Sequence, residues 1–303
     1  MPPPGTKGAS LRVSVVIPAY NAEAYLEECV RSVLTQTHAV TEVLIVDDGS
    51  TDGTKILAES FGAPVRLLQQ KQGGPARARN LGVNEAVGEW IAFLDADDFW
   101  LPDKVEKQLL ALAADPEAIL CYTGLLALKL DGSRIVVPPP ALSQVDSMLS
   151  LTNVGIPPSA VMLRRSTLLC VGGFSEVQRG CEDWDLWFRL RRLGRFCVVP
   201  EAVTVYRESL GGLSSNAEHM HLDFLRMLDR VLLADLHGWK RWLWRRRILS
   251  YQQYKAAMTA RHAGQPDVER KFLAASLLTW PSPLWHSERF AASLVHLRRS
   301  FSR

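Results

Sequence analysis

The chain predicts an α/β fold, a sheet flanked by helices, with a helical region appended at the C-terminus. Three observations predict it. Strand-like and helix-like segments alternate four times between residues 13 and 112, the pattern of a parallel sheet covered on both faces. Three strand ends break into polar clusters, at 18–21, 47–52 and 95–98, as expected where an open α/β sheet gathers a ligand along one edge. From about residue 216 onward the apolar periodicity is helical.

Residues 13–17, Val-Ser-Val-Val-Ile, are rich in β-branched side chains and read as a strand that Pro18 stops. Asn21 can cap the next helix, whose apolar face is Leu26, Val30, Val33 and Leu34. A second buried strand at 43–46 runs into Asp47-Asp48-Gly49-Ser50-Thr51-Asp52. There Gly49 permits a tight turn, and Ser50, Thr51 or Asp52 can cap a helix carrying Ile56, Leu57 and Phe61, closed by Gly62. Residues 65–68 form a short third strand, Gly73-Gly74 a loop, and Pro75 opens a helix that ends by Gly88.

The fourth strand, 91–94, is apolar throughout and ends in Asp95, Asp97 and Asp98. A strand buried on both faces cannot keep unpaired carboxylates inside it. The three acids therefore belong at its C-terminal edge. In extended backbone Asp95 and Asp97 would point the same way, and such a pair suits a hard divalent cation holding a diphosphate. An acidic turn capping the next helix is the alternative, above all for Asp98 and Asp103. That helix opens at Pro102-Asp103 and carries Val105, Leu109 and Leu112.

Beyond residue 118 the order changes. Segments 118–130 and 135–137 flank Asp131-Gly132, a hairpin signal. Pro138-Pro139-Pro140 marks a loop, 159–163 a strand and Gly172-Gly173-Phe174 a turn. Glu182-Asp183 precede a helix with Trp184, Trp187, Phe188 and Leu190, closed by Gly194, and 197–205 is a last strand ending at Tyr206-Arg207. Leu222, Leu225, Leu228, Val231 and Leu232 form one helical stripe, and 251–262 and 267–278, joined by Ala263-Gly264, a helical hairpin. The expected organisation is a flexible leader at 1–11, a catalytic domain at 12–215 and a helical region at 216–303.

Composition excludes several classes. With 47% hydrophobic and 22% charged residues the chain is an ordinary globular one. A net charge of +3, with basic residues not spread across the domain, argues against nucleic acid. Five cysteines, with no Cys-x-x-Cys pair, favour reduced thiols over a disulfide framework or a zinc site. No run approaches the roughly 20 apolar residues of a membrane span, and the Pro- and Gly-rich start is no signal peptide. A cytoplasmic protein is the expectation.

In order and spacing, Val15-Val16-Ile17-Pro18-Ala19-Tyr20-Asn21, Val46-Asp47-Asp48-Gly49-Ser50-Thr51-Asp52, Asn80-Leu81-Gly82, Phe93-Leu94-Asp95-Ala96-Asp97-Asp98, Gly172-Gly173-Phe174 and Glu182-Asp183-Trp184 resemble family 2 glycosyltransferases. The resemblance covers about 12–210. It implies the GT-A fold, a Rossmann-like mixed sheet flanked by helices, and inverting transfer from a nucleotide-sugar, UDP-sugars favoured, to a hydroxyl acceptor. It implies that Asp48 accepts from the base N–H, a charge-assisted bond. Tyr20 and Asn21 would flank the base, and Pro18 and Ala19 shape the floor. Asp95, with Ala96 beside it, would meet the ribose or the metal. Asp97 would ligate Mn²⁺ or Mg²⁺ bridging the diphosphate. Asp183 would be the base that takes the acceptor's proton, with Glu182 orienting it or touching the sugar. Glu182 and Asp183 equally suit the N-terminal dipole of their helix, and one Asp can do both jobs; Asp185 reads as a first-turn helix acid.

Arg77 and Arg79 can reach phosphate or sugar hydroxyls or form a solvated helix face, and Arg207 is a weaker candidate of the same kind. Relatives often place a His after the Tyr-Arg pair. Here Glu208-Ser209 stand instead, with His219 and His221 as substitutes or as outward helix positions. No Gln-x-x-Arg-Trp motif follows, which favours transfer of a single sugar. The resemblance implies assembly of cell-surface polysaccharide or glycolipid, with a saccharide or lipid-linked saccharide acceptor contacted by loops at about 138–160 and 208–218. Trp239-Lys240-Arg241-Trp242-Leu243-Trp244-Arg245-Arg246-Arg247 suits either the inner membrane face, as a peripheral contact, or a packed helix with solvated arginines. Trp239, Trp242 and Leu243 share a side that Arg246 interrupts. Two rivals remain: a nucleotide-sugar-binding or scaffold protein without turnover, and a sugar nucleotidyltransferase, which would need a Gly-rich basic loop where Pro18-Ala19-Tyr20-Asn21 stand.

Overall fold

The computed structural model describes residues 11–143, 155–178, 180–208 and 217–282. The leader at 1–10, most of the expected acceptor loops (144–154 and 209–216) and the side chain of His219 lie outside the described residues. The chain divides into two compact units: 1–142 with 155–176 and 190–208, and 143–154 with 177–189 and 209–303.

The first unit holds the sheet. Its strands are β1 (Val13–Ala19), β2 (Glu42–Asp47), β3 (Val65–Gln69), β4 (Trp90–Phe93), β5 (Phe99–Trp100), β6 (Ala118–Leu128), β7 (Arg134–Val137), β8 (Val161–Arg164) and β9 (Arg195–Arg207). They are ordered β3-β2-β1-β4-β8-β6-β9-β5, with β7 beside β6. The β3-β2-β1-β4 half is parallel, as the alternating segments predict. Its crossovers are α1 (Leu26–Leu34), α2 (Thr54–Ser60) and α3 (Pro75–Glu85). α4 (Lys104–Ala114) follows β5, and α5 (Arg165–Cys170) follows β8. β8 runs antiparallel to β4 and β6, and β7 antiparallel to β6 across the Asp131-Gly132 turn. The mixed sheet with flanking helices is the expected GT-A architecture.

The core follows from the strands' composition. Every residue of β2 and β4 is buried, and Leu26, Val30, Val33, Val105, Leu109 and Leu112 pack their helices onto one face. Four local expectations are corrected. β1 continues through Pro18 to Ala19; β4 accompanies β1 only as far as Val16, so the missing N–H at Pro18 interrupts no ladder on that side. Leu34 and Ile56 are exposed rather than on the apolar faces. Asn21 does not cap α1, which has no side-chain cap; its carboxamide oxygen accepts from Thr51 N–H at 2.8 Å, tying two loops together. Finally, 158–160 form a 3-10 turn, and β8 begins only at Val161.

The second unit contains most of α6 (Glu182–Arg191), then α7 (Ala217–Met227), a π-helical turn (Leu228–Leu232), α8 (Gly238–His262) and α9 (Pro266–Thr279). Its buried stripe is Phe224, Met227, Leu228 and Val231, while Leu222 faces solvent, so the expected stripe is shifted. α8 and α9 form the expected hairpin through small residues: Ala256, Ala257 and Ala260 meet Phe272 and Leu273. The Trp/Arg stretch is continuous with α8, one helix of 25 residues. Among the described residues no helix is long and apolar enough to cross a membrane. All five cysteines are free thiols.

Candidate active site

β4 ends at Phe93, and the chain turns at once: Asp98 N–H donates to the Asp95 carbonyl at 3.0 Å. The backbone is a turn here, not the extended run that would aim Asp95 and Asp97 alike. Asp98 is no helix cap. It is 2% exposed, and its carboxylate accepts from the Ser159 hydroxyl at 2.5 Å and from Arg207 N–H at 2.9 Å. Ser159 Oγ in turn accepts from Asp95 N–H at 3.0 Å. Burial, then the charges of Asp95 and Asp97, push the Asp98 carboxyl well above the usual range. The Asp97 carboxyl is raised too, by burial first and then by Asp95. Asp103 also leaves its helix uncapped and pairs with Lys107 at 3.0 Å.

Asp95 is held from α3. Arg79 is 4% exposed, so it is no solvated face, and it donates to the Asp95 carboxylate at 2.6 Å. Its guanidinium lies 5.2 Å over the Phe174 ring, which meets Phe93 edge-on at 5.1 Å. The next residue, Asn80, grips the same loop: it accepts from Phe174 N–H at 2.8 Å and donates to the Phe174 carbonyl at 2.9 Å. Gly173 is required at this grip. Its φ is +70°, and a Cβ there would come within 2.4 Å of Asn80 Oδ1. Two motifs nearly a hundred residues apart thus order one arginine. Arg77 is solvent-exposed.

Asp48 sits at the end of β2. Its carboxylate accepts from Gln70 Nε2 at 2.6 Å, Gly73 N–H at 2.7 Å and Gly74 N–H at 2.7 Å. Three of the roughly four acceptor positions of a carboxylate therefore hold the loop leading into α3. Nearby on the chain, Ala19 is buried, Pro18 is partly buried, and Tyr20 is 47% exposed, its ring uncommitted to the core. Asn21 adopts a φ of +47° and takes Ser50 Oγ on its own N–H at 3.0 Å, which couples the Tyr20 and Gly49 loops.

The donor set at 95–97 fits a hard divalent cation. Both side chains offer only oxygen, and Ala96 between them is small and buried. Arg79 donates to Asp95 Oδ1, and the Asp95 charge in turn raises the Asp97 carboxyl. Among the described residues no group of three or more His, Cys, Asp or Glu is placed to hold a metal. Two carboxylates suit Mg²⁺ or Mn²⁺, which draw the rest of an octahedral shell from phosphate oxygens and water. Of the suggested substitutes, His221 stacks edge-on against Phe272 at 5.0 Å, and burial, then the charge of Lys271, lower its pKa.

Glu182 and Asp183 begin α6 in the second unit. Glu182 is buried and Asp183 partly so; Asp183 Oδ1 accepts from Trp184 N–H at 2.8 Å, so this Asp does satisfy a helix-terminal donor. Just before them Cys181 has a φ of +65°. Burial, then the charges of Asp183 and Glu182, push its thiol upward. Asp185 is more than a helix acid: it is fully buried and paired with Arg189 at 2.7 Å and with Arg230. The Arg189 spacing, i to i+4, was visible in the sequence; Arg230 and Ser159 carried no such signal.

Residues 14–166 match the family described as Glycosyl transferase family 2. An uncharacterized glycosyltransferase of Rickettsia prowazekii is 31% identical over 243 residues, covering 75% of this chain and 75% of that protein. The Bacillus subtilis protein TuaG, named for teichuronic acid biosynthesis, is 32% identical over 67% of this chain and 82% of its own length. The match spans 59% of a further relative from Rickettsia typhi. Among solved structures, S. aureus TarS in complex with UDP-GlcNAc superposes with a TM-score of 0.64 at 19% identity, covering 88% of this chain and 81% of that one.

Proposed function

The chain belongs to glycosyltransferase family 2, and on that premise we propose that it transfers a single sugar from a UDP-sugar to a hydroxyl acceptor with inversion, using a divalent cation at Asp95 and Asp97. The observation that carries the reading is the 95–98 turn, an acidic pair backed by Arg79 at the C-terminal edge of the sheet. UDP as the nucleotide rests on the TarS complexes with UDP and UDP-GlcNAc.

Each residue then has a task. Asp48 keeps one acceptor position for a base N–H while its other bonds hold the 70–74 loop. Tyr20, with Pro18, Ala19 and Asn21, flanks the base. Asp97 and Asp95 hold the cation, which when bound offsets the negative charge gathering on the departing diphosphate. Arg79 orients the Asp95 carboxylate through a charge-assisted hydrogen bond. Asp183 accepts the acceptor's proton and Glu182 orients it. The protein acts at the cytoplasmic face, in assembly of cell-surface polysaccharide or glycolipid. Its acceptor is a saccharide or lipid-linked saccharide, and residues 239–247 touch the membrane surface.

Calorimetric titration with UDP, GDP and dTDP, each with Mn²⁺ and with EDTA, tests the donor site. The expected outcome is Mn²⁺-dependent binding of UDP, lost in Asp97→Ala. Asp183→Asn should bind UDP normally while transfer falls by about 10² to 10⁴. Native turnover by Asp183→Asn would remove the assigned base. Binding of none of the three nucleotides would leave a scaffold.

A further inference from the structure

Arg207 ends β9 and reaches three separate parts of the first unit. Its backbone N–H donates to the Asp98 carboxylate at 2.9 Å, and its Nε donates to the Asp97 carbonyl at 2.9 Å. A terminal guanidinium nitrogen donates to Glu28 on α1 at 2.6 Å. The guanidinium lies against two aromatic rings, its carbon 4.9 Å from the Tyr25 centroid and 5.6 Å from that of Phe99. Every contact constrains orientation: the fork is planar, its donors are fixed relative to one another, and the rings restrict its tilt. Arg207 is therefore occupied by the protein itself and is not poised as a simple phosphate-reaching cation.

We propose that Arg207 is a positioning residue which, with Ser159 and Asp98, locks the 95–98 turn so that the Asp97 carboxylate is held ready for the cation. The reason lies in the turn. Asp97 follows a strand that has already ended, and among the described residues its carboxylate makes no side-chain hydrogen bond or ion pair, so its direction depends on its backbone. That backbone is fastened on its carbonyl by Arg207 Nε. Its two flanking acids are fastened through Ser159 Oγ, to Asp95 N–H and to the Asp98 carboxylate. Asp98, expected as a ligand-edge acid or a cap, is the buried peg of this lock. Such outer contacts orient metal-binding side chains, and their removal typically weakens metal affinity by about ten- to a hundredfold. Lysine cannot replace the arginine here, because one ammonium cannot reach Asp97 and Glu28 together in fixed geometry.

This inference rests on the reading of Asp97 as a cation ligand, and the test separates the two. Mn²⁺ is titrated into the full-length protein at saturating UDP and followed by the loss of the free-Mn²⁺ electron paramagnetic resonance signal. The native protein, Asp97→Asn, Arg207→Lys and Glu28→Gln are compared, with thermal unfolding as a control for folding. Arg207→Lys should raise the Mn²⁺ concentration for half-saturation by about tenfold or more. Glu28→Gln, a surface change that removes one anchor of the guanidinium, should raise it severalfold without altering the unfolding midpoint. If Asp97→Asn binds Mn²⁺ as the native protein does, the cation site itself is wrong. If Asp97→Asn loses Mn²⁺ but Arg207→Lys and Glu28→Gln titrate like the native protein, the lock is overturned.

Discussion

Asp98 shows how one buried acid sets a pH response. Its pKa is raised by burial and by the charges of Asp95 and Asp97. A carboxyl whose folded pKa lies above its unfolded value binds its proton more tightly in the folded state. The stability it contributes is full below the unfolded value, about pH 4, and is lost as pH rises through the folded pKa. Asp97 acts in the same direction. In EDTA, therefore, this region should be more stable at pH 5 than at pH 8. Asp98→Asn keeps an acceptor for Arg207 N–H and cannot ionise, so it should flatten the dependence. Urea midpoints at both pH values check this, and an unchanged slope in Asp98→Asn would refute it. The same residue corrects the sequence reading: an acid beside two others looks like a ligand or a cap, yet its partners, Ser159 and Arg207, stand 61 and 109 positions away.

Among the elements, α8 departs furthest from expectation. It contains seven Lys and Arg and no Asp or Glu over 25 residues. Trp239 is 70% exposed, Trp242 57% and Leu278 at the end of α9 79%. Arg246 does not break this face. Its guanidinium stacks 5.2 Å over Trp242 while Nε donates to the Thr279 carbonyl at 2.8 Å, joining α8 to the end of α9. Arg241 and Arg245 share the single carboxylate of Asp229, so this patch keeps net positive charge. Indole rings and uncompensated cations on one helix fit an anionic lipid surface. The full chain should sediment with vesicles containing phosphatidylglycerol and not with phosphatidylcholine alone. Lys240→Gln should weaken binding about fivefold and Trp239→Ala with Trp242→Ala more than that. Equal binding to both vesicle types would sink the proposed contact.

For the molecule as a whole, the division into two units places every proposed donor ligand in the first: Asp48, Arg79, Asp95 and Asp97 lie there, and Asp183 in the second. A ligand that binds only the native form stabilises it by about 2.7 kcal/mol at a hundredfold excess over Kd. UDP with Mn²⁺ should therefore raise the calorimetric transition of the unit that contains the sheet, and EDTA should cancel the rise. A rise that survives EDTA would count against metal-dependent donor binding.

What the sequence determined by itself was the order of the elements and the sheet edge at which the acids gather. Both follow from local rules: alternating apolar runs mark buried strands, and a buried strand must release its carboxylates at its end. Pro18 and Leu34 were misjudged because a ladder's extent and a helix's packed arc depend on neighbours supplied by other segments. The tertiary structure alone decided the wiring behind the acids: Arg79 buried under Phe174, Asn80 gripping that loop, Asp48 holding Gly73 and Gly74, and Arg207 clasping Asp97. These bonds join positions far apart in the chain, and hydrogen bonding across such distances leaves no periodicity for a sequence to display.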